Sequence, residues 1–367
     1  MQYYKNVTTL YRNQGGLVMA NYLVTFTPLE PYFFGNERVF TYGKVETAAY
    51  FIKSESIPSQ STVFGTIRYC CIPNPTIDFR YDSSIIGKQS FNIMEKEQDF
   101  GYIKSISPIF LIKGNEYFIV TPYNHNQDEE GEKYTPFKKY QFIETCEGSK
   151  CFPIDYKSKK GIADSFTSIV TGKIYNFIRT TDQVGIKKSD KENAFFKRRY
   201  GYLQEDGLDF GTIGRKNFNL SFAVMAEIEK LKLDGKKQIA YMGQGKTAFL
   251  VQFKECEDNF TGKVIKFWKE KNKYPLLHLA LSDTYIEEPI TKINEICYYV
   301  NVKLRDYRSF QTSYNSSSHT NRYKKGKYLQ HMIKSGSVFW VKENCEKQFY
   351  QMINHSNCKK VGFNKVL

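Results

Sequence analysis

Tyr22-Leu23-Val24-Thr25-Phe26-Thr27-Pro28-Leu29-Glu30-Pro31 is the stretch from which the fold is read. Its first five residues are β-favouring and half alternating, which predicts a strand over 22–26. Pro28 and Pro31 then end the ladder, because proline has no N–H to donate and holds the residue before it extended. The chain runs on through Phe33-Phe34-Gly35-Asn36-Glu37-Arg38-Val39-Phe40, a loop that sets Arg38 among aromatic rings. Next comes Pro58-Ser59-Gln60-Ser61-Thr62-Val63-Phe64-Gly65-Thr66-Ile67-Arg68-Tyr69. Ser59 or Ser61 is positioned to cap a helix there. Val63, Phe64 and Ile67 share one face of that helix, Gly65 lies on the other, and Arg68 falls late in it.

Working outward, strands are predicted at 110–112, 117–120, 173–178, 222–228, 275–281 and 337–341. Residues 124–139 and 187–199 read as charged surface loops. Residues 1–20 read as a flexible arm or an upstream extension. The chain has 367 residues, which suggests two domains or one large one. It has no repeat of short period. No apolar run is long enough to span a membrane, and the N-terminus lacks an apolar signal core, so the expected location is the cytoplasm, with no membrane partner.

Lys and Arg total 53 against 38 Asp and Glu, a formal charge of +15. That excess favours polyanionic partners, nucleic acid or an anionic membrane surface, without choosing between them. The eight cysteines are scattered and read as reduced thiols; Cys146 and Cys151 have no matching Cys/His pair for zinc. Thus no metal and no cofactor is expected.

Gly243-Gln244-Gly245-Lys246-Thr247 invites a P-loop reading. A Walker A loop, however, wants glycine where Ala240 stands, and a strand pattern follows instead of a helix. The alternatives are a plain Gly-rich β-turn, or a turn whose N–H groups and Lys246 meet a nucleic-acid phosphate. The five histidines show no triad or metal spacing. His278 reads as a core residue in an apolar strand, and His319 lies in a basic loop. Asp128-Glu129-Glu130 sits in a polar loop without the apolar surroundings that tune an acid. Catalytic residues are therefore not expected. Basic residues are interleaved with rings at Phe195-Phe196-Lys197-Arg198-Arg199-Tyr200, Lys266-Phe267-Trp268-Lys269 and Arg305-Asp306-Tyr307-Arg308. Cations for phosphates and rings for bases suit single-stranded RNA; amphipathic faces with buried rings explain each stretch separately.

Taken together, these segments resemble the RAMP superfamily of CRISPR-associated proteins, and most closely subunit three of the type III-B (Cmr) effector complex. Thr27-Pro28-Leu29-Glu30-Pro31-Tyr32-Phe33-Phe34 is similar to its opening segment, and Gly35-Asn36-Glu37-Arg38-Val39-Phe40 to its polar turn, with Val39 in place of proline. Pro58 to Arg68 is similar to its helix entry. Arg179 with Val184-Gly185-Ile186 resembles its central segment. Ser335-Gly336-Ser337-Val338-Phe339-Trp340 and Gly362-Phe363-Asn364 resemble its late strand and terminal turn.

The resemblance implies an α+β fold of two ferredoxin-like (RRM-like) domains with Gly-rich loops, expected at 21–200 and 201–367. It implies a cytoplasmic ribonucleoprotein. This chain would be a non-catalytic RNA-binding subunit of a type III-B complex in antiviral defence, gripping the 5′ tag of the guide RNA (crRNA). Its expected protein partners are the large polymerase-like subunit, the first backbone RAMP subunit and the small-stem RAMP subunit. RNA-binding residues are then expected at Asn36, Arg38, Ser61, Gly65, Arg68, Arg179, Gly243, Gln244, Gly245, Lys246, Thr247, Ser335 and Gly336. The alternatives are a metal-independent endoribonuclease of the same superfamily that processes precursor guide RNA through His319 or His331, and a basic scaffold that touches no RNA.

Overall fold

The computed structural model describes residues 19–35, 50–52, 54–72, 83–87, 89–126, 132–146, 148–157, 165–187, 193–202, 220–243, 246–315, 320–325 and 328–367. Within these, residues 50–52, 83, 179–187, 193–202, 310–315 and 320–325 are described by their backbone. Arg38, Asn36, Gln244, Gly245, His319, the 128–130 acids and the first 18 residues lie outside the described set.

Nine strands form a central sheet. In chain order they are β1 (Met19–Pro28), β2 (Ile103–Ile106), β3 (Phe110–Lys113), β4 (Glu116–Val120), β5 (Phe166–Ser168), β6 (Ile174–Tyr175), β7 (Leu220–Glu229), β8 (Lys237–Met242) and β9 (Thr247–Glu255). The spatial order is β6-β5-β4-β3-β7-β1-β9-β8, with β2 also pairing β7. Every pairing in this sheet is antiparallel.

β1 lies between β7 and β9, so the expected strand is longer than its β-rich heart and is ladder-bonded on both edges. Tyr22, Val24 and Phe26 face one core and Leu23 the other, the period of two expected of a strand. Pro28 is its last residue, as the missing N–H requires. The 222–228 segment is β7, a strand rather than a helix. A strand, β9, follows the Gly243 turn where a P-loop would need a helix.

The Gln60–Cys71 helix starts at Ser59, whose hydroxyl accepts from the Thr62 N–H at 3.2 Å. Val63, Phe64 and Ile67 are buried by it against the Tyr22/Val24/Phe26 face. Fully burying side chains of this size is worth ~1.5–3 kcal/mol each. The Phe260–Lys271 helix covers the opposite face with Phe260, Val264, Phe267 and Trp268, at i, i+4, i+7 and i+8. Its Phe260 ring stacks on Phe110 with centroids 3.9 Å apart. A smaller sheet of Leu277–Leu279, Val338–Val341 and Cys297–Asn301 completes the C-terminal part with a third apolar cluster.

The architecture is therefore mixed α/β and mostly antiparallel. The one parallel pairing among the described strands joins Asn193–Tyr202 to Tyr50–Ile52. The expected 200/201 boundary falls inside that Asn193–Tyr202 strand, and the central sheet takes strands from both sides of it.

One expectation is corrected. Lys187 and residues 193–199 are not loop: Ile178–Lys187 and Asn193–Tyr202 pair over ten positions as a hairpin, and residues 188–192 lie outside the described set. The dense lysines and arginines masked a strand whose backbone partners, not its polarity, decide its state. No described helix is long and apolar enough to cross a membrane.

Candidate nucleic-acid interface

The β8–β9 hairpin closes on the pair Met242 and Thr247. Gly243 has φ +77°, and the Lys246 N–H returns to the Gly243 carbonyl at 3.2 Å. A Cβ added at Gly243 would lie 2.4 Å from the Phe33 carbonyl oxygen. Only glycine fits, because the turn presses on the segment that leaves β1. Lys246 itself has φ +51° and an exposed side chain. Left-handed backbone costs a residue with a Cβ ~1–2 kcal/mol; Lys230 and Asn364 adopt it as well. Thr247, by contrast, is buried.

The Pro-rich exit of β1 clamps this hairpin. Leu29 N–H donates to the Ala248 carbonyl, and the Glu30 carboxylate accepts from the Ala248 N–H, both at 3.0 Å. Tyr32 and Phe34 pack with Phe222 and Phe249, and Phe33 is buried as well. The rings before Arg38 are thus core rings, not an exposed stacking platform. Phe34–Gly35 pairs with Ser54–Glu55, and the Tyr32 hydroxyl donates to the Ser56 carbonyl at 2.8 Å. This places the β1 exit directly before the helix entry at Ser59.

Two ion pairs tie in the C-terminal segment. Lys334 meets Glu55 at 3.0 Å, and Arg305 meets Asp283 at 2.9 Å with both side chains nearly sealed from water. Asp283 also accepts the Ser335 N–H at 3.0 Å. Ser335 is buried. Gly336, at φ +89°, is approached by its own chain: a Cβ there would lie 2.9 Å from Tyr123 and Val120 side-chain atoms. The terminal turn comes in the same way, since a Cβ at Gly362 would strike the Gln60 amide and the Ser107 carbonyl.

The helix entry carries the remaining residues. Ser61 shares a hydroxyl contact with Ser59 at 3.1 Å and lies beside Tyr307. Gly65 is exposed, and a Cβ there would meet nothing within 4 Å. The fold therefore gives no packing reason for glycine in mid-helix, where it costs ~1 kcal/mol relative to alanine. Arg68 folds inward over the Phe64 ring, and its Nη2 donates to the Gly87 carbonyl at 3.3 Å. Burial lowers its pKa to about 10, against a raising pull from Asp99. Its Nε has no hydrogen-bond partner among the described residues. Arg179 stands opposite Gly201 in the Ile178–Tyr202 hairpin; its side chain is outside the described set.

Segments more than 300 residues apart in sequence thus meet: the β1 exit, the helix entry, the Gly243 turn, the Ser335 turn and the Gly362 turn. Gly65 and Lys246 present open surface there, while Arg68, Thr247, Ser335 and Gly336 are turned into the molecule. Tyr241, two residues before the turn and 69% exposed, escaped the sequence reading. Its signal was the alternation with buried Ala240 and Met242 along β8. The basic–aromatic stretches divide similarly. Phe267 and Trp268 are core residues beneath exposed Lys266 and Lys269, and Arg305 is an ion-pair residue.

A family model described as CRISPR-associated protein (Cas_Cmr3) matches residues 24–367. No curated protein matches the chain. Two cryo-EM structures contain similar chains. One is the type III-B Cmr-beta complex bound to cognate target RNA and AMPPnP in state 1, at 13% identity over 94% of this chain and 96% of that chain, with a TM-score of 0.45. The other is the type III-B Cmr-beta complex bound to cognate target RNA, at 14% identity over 95% and 96%, with a TM-score of 0.44.

Proposed function

The chain belongs to the Cas_Cmr3 family of CRISPR-associated proteins, and from that membership we propose that it is a non-catalytic subunit that holds the 5′ tag of the guide RNA in a type III-B effector complex. The observation that carries the reading is Lys246. An exposed lysine is held in left-handed backbone at a turn locked onto the β1 exit. A phosphate at that turn would meet the Lys246 ammonium, and the cations would supply the salt-dependent part of the affinity. Exposed Gly65 offers a second close approach for a sugar-phosphate chain.

A ferredoxin-like unit belongs to the same proposal, though it joins β1 to strands beyond residue 200 and so crosses the expected 21–200 bounds. The order β7-β1-β9-β8, antiparallel throughout with the Gln60–Cys71 helix on one face, suits such a unit. Its fourth strand position is filled by β7, which precedes β8 in the chain. A second such domain in the C-terminal part and docking to the large polymerase-like and backbone RAMP subunits complete the proposal.

The test is binding of tagged guide RNA at moderate salt to wild-type protein and to Lys246→Ala, with circular dichroism as a folding control. The expected result is weaker binding with unchanged folding; equal binding refutes the assignment. One observation favours the endoribonuclease reading: His331 contacts Asp306 at 2.8 Å on the surface, and such a carboxylate orients an imidazole for proton transfer. Incubation with precursor repeat RNA in EDTA separates the two, since cleavage lost in His331→Ala would replace the binding reading with an enzymatic one.

A further inference from the structure

The Phe260–Lys271 helix turns its rings into the core and its lysines outward, on the sheet face opposite the Gln60–Cys71 helix. Lys266 and Lys269 are exposed at i, i+3, and Lys273 continues the line past the helix end. The Lys271 ammonium lies against the 170–173 turn, 3.6 Å from where a Gly172 Cβ would stand. In that turn Lys173 is set directly opposite Lys133 across an antiparallel bridge, and both side chains are exposed. Like charges so placed destabilise a ladder. Among the described residues the one carboxylate paired with these six lysines is Glu270, 4.0 Å from Lys266 and itself mostly exposed. Glu132 is the exposed carboxylate next to Lys133 in sequence.

We propose that this lysine surface is a second polyanion site that grips the sugar-phosphate backbone of single-stranded RNA without reading sequence. It rests on the RNA-binding reading of the chain and adds a surface apart from the Gly243–Lys246 turn. Clustered like charge with a single, mostly exposed paired carboxylate is offset by an anion, and phosphates on a strand supply anions at short, regular intervals. A protein partner fits less well, because stable interfaces place an apolar core where charges are depleted. Here Val170 is the apolar side chain the 170–173 turn exposes. The rings of the helix are buried, so bases have no platform to stack on and the contacts are to backbone.

The test uses the full chain, a labelled oligouridylate and the quadruple variant Lys133→Gln, Lys173→Gln, Lys269→Gln, Lys271→Gln. The variant is expected to bind at least a hundredfold more weakly at ~0.1 M salt, as the loss of about four phosphate contacts implies. Its plot of log affinity against log salt should be shallower by about 3, at ~0.7 per lost phosphate contact. Its thermal melt should be unchanged or slightly raised, since the Lys133/Lys173 repulsion is removed. Wild-type affinity and slope in the variant would overturn the proposal, as would absence of oligouridylate binding by the wild type. Equal affinity for labelled polyglutamate would also overturn it, making an acidic protein the occupant. Loss in the quadruple variant together with unaltered tagged-guide binding by Lys246→Ala would leave this surface standing and remove the turn.

Discussion

Lys246 and Gly65 break local rules in opposite ways. Lys246 occupies backbone that glycine would enter freely, and Gly65 occupies a helical position that alanine would fill with space to spare. Each choice costs the fold ~1 kcal/mol, so each substitution that repairs it separates stability from function. Lys246→Gly and Gly65→Ala are expected to raise the denaturant midpoint by an amount equivalent to about 0.5–1 kcal/mol. Both are expected to weaken guide-RNA binding. A variant that gains stability and binds as the wild type would show that the residue serves no ligand. Gly243 is the contrasting case, a glycine required by the fold. Gly243→Ala is expected to destabilise by roughly 1–3 kcal/mol, because its Cβ has no room beside Phe33.

At the scale of elements, the helix entry and β1 were legible because their periods are unmixed. Val63, Phe64 and Ile67 share one face, Ser59 caps, and Pro28 stops the strand. The hairpin at 178–202 was not legible, since Lys187 to Arg199 carries the charge density of a loop and its pairing depends on partners remote in sequence. The Lys266-Phe267-Trp268-Lys269 stretch was readable as a stacking motif or as an amphipathic face with a buried ring; the latter is what folds, on a helix, with Trp268 Nε1 donating to the Leu277 carbonyl at 3.0 Å. Trp268→Ala is therefore expected to cost about 3–5 kcal/mol, read as a lowered melting temperature. If Trp268 served bases instead, RNA binding would fall and the melt would hold.

Over the whole molecule, two groups of buried polar residues set the response to conditions. Asp283 is shared by Arg305 and the Ser335 N–H in a nearly dry setting. Removing it as Asp283→Ala strands a buried guanidinium, with an expected loss of about 3–5 kcal/mol in chemical denaturation. Burial holds the His278 and His355 imidazoles below the ordinary 6.5. The unfolded chain then takes up those protons first, so stability is full above the unfolded value and falls as the pH drops below it. His278→Gln should flatten that acid limb in pH-dependent melting. The Arg305–Asp283 pair was not visible in the sequence, where Arg305 stood in a basic–aromatic stretch open to RNA binding or to an amphipathic face, while the apolar strand around His278 did announce a core residue. The convergence of the β1 exit, helix entry and glycine turns was likewise invisible without the fold, although each segment had been singled out.

RNA binding as proposed requires that the Gly243–Lys246 turn touch the guide strand. A photo-crosslinking side chain at position 246, in the chain assembled with its guide RNA, tests it most directly. A crosslink to nucleotides of the 5′ tag is expected; crosslinks only to protein, or only to RNA outside the tag, would contradict that contact.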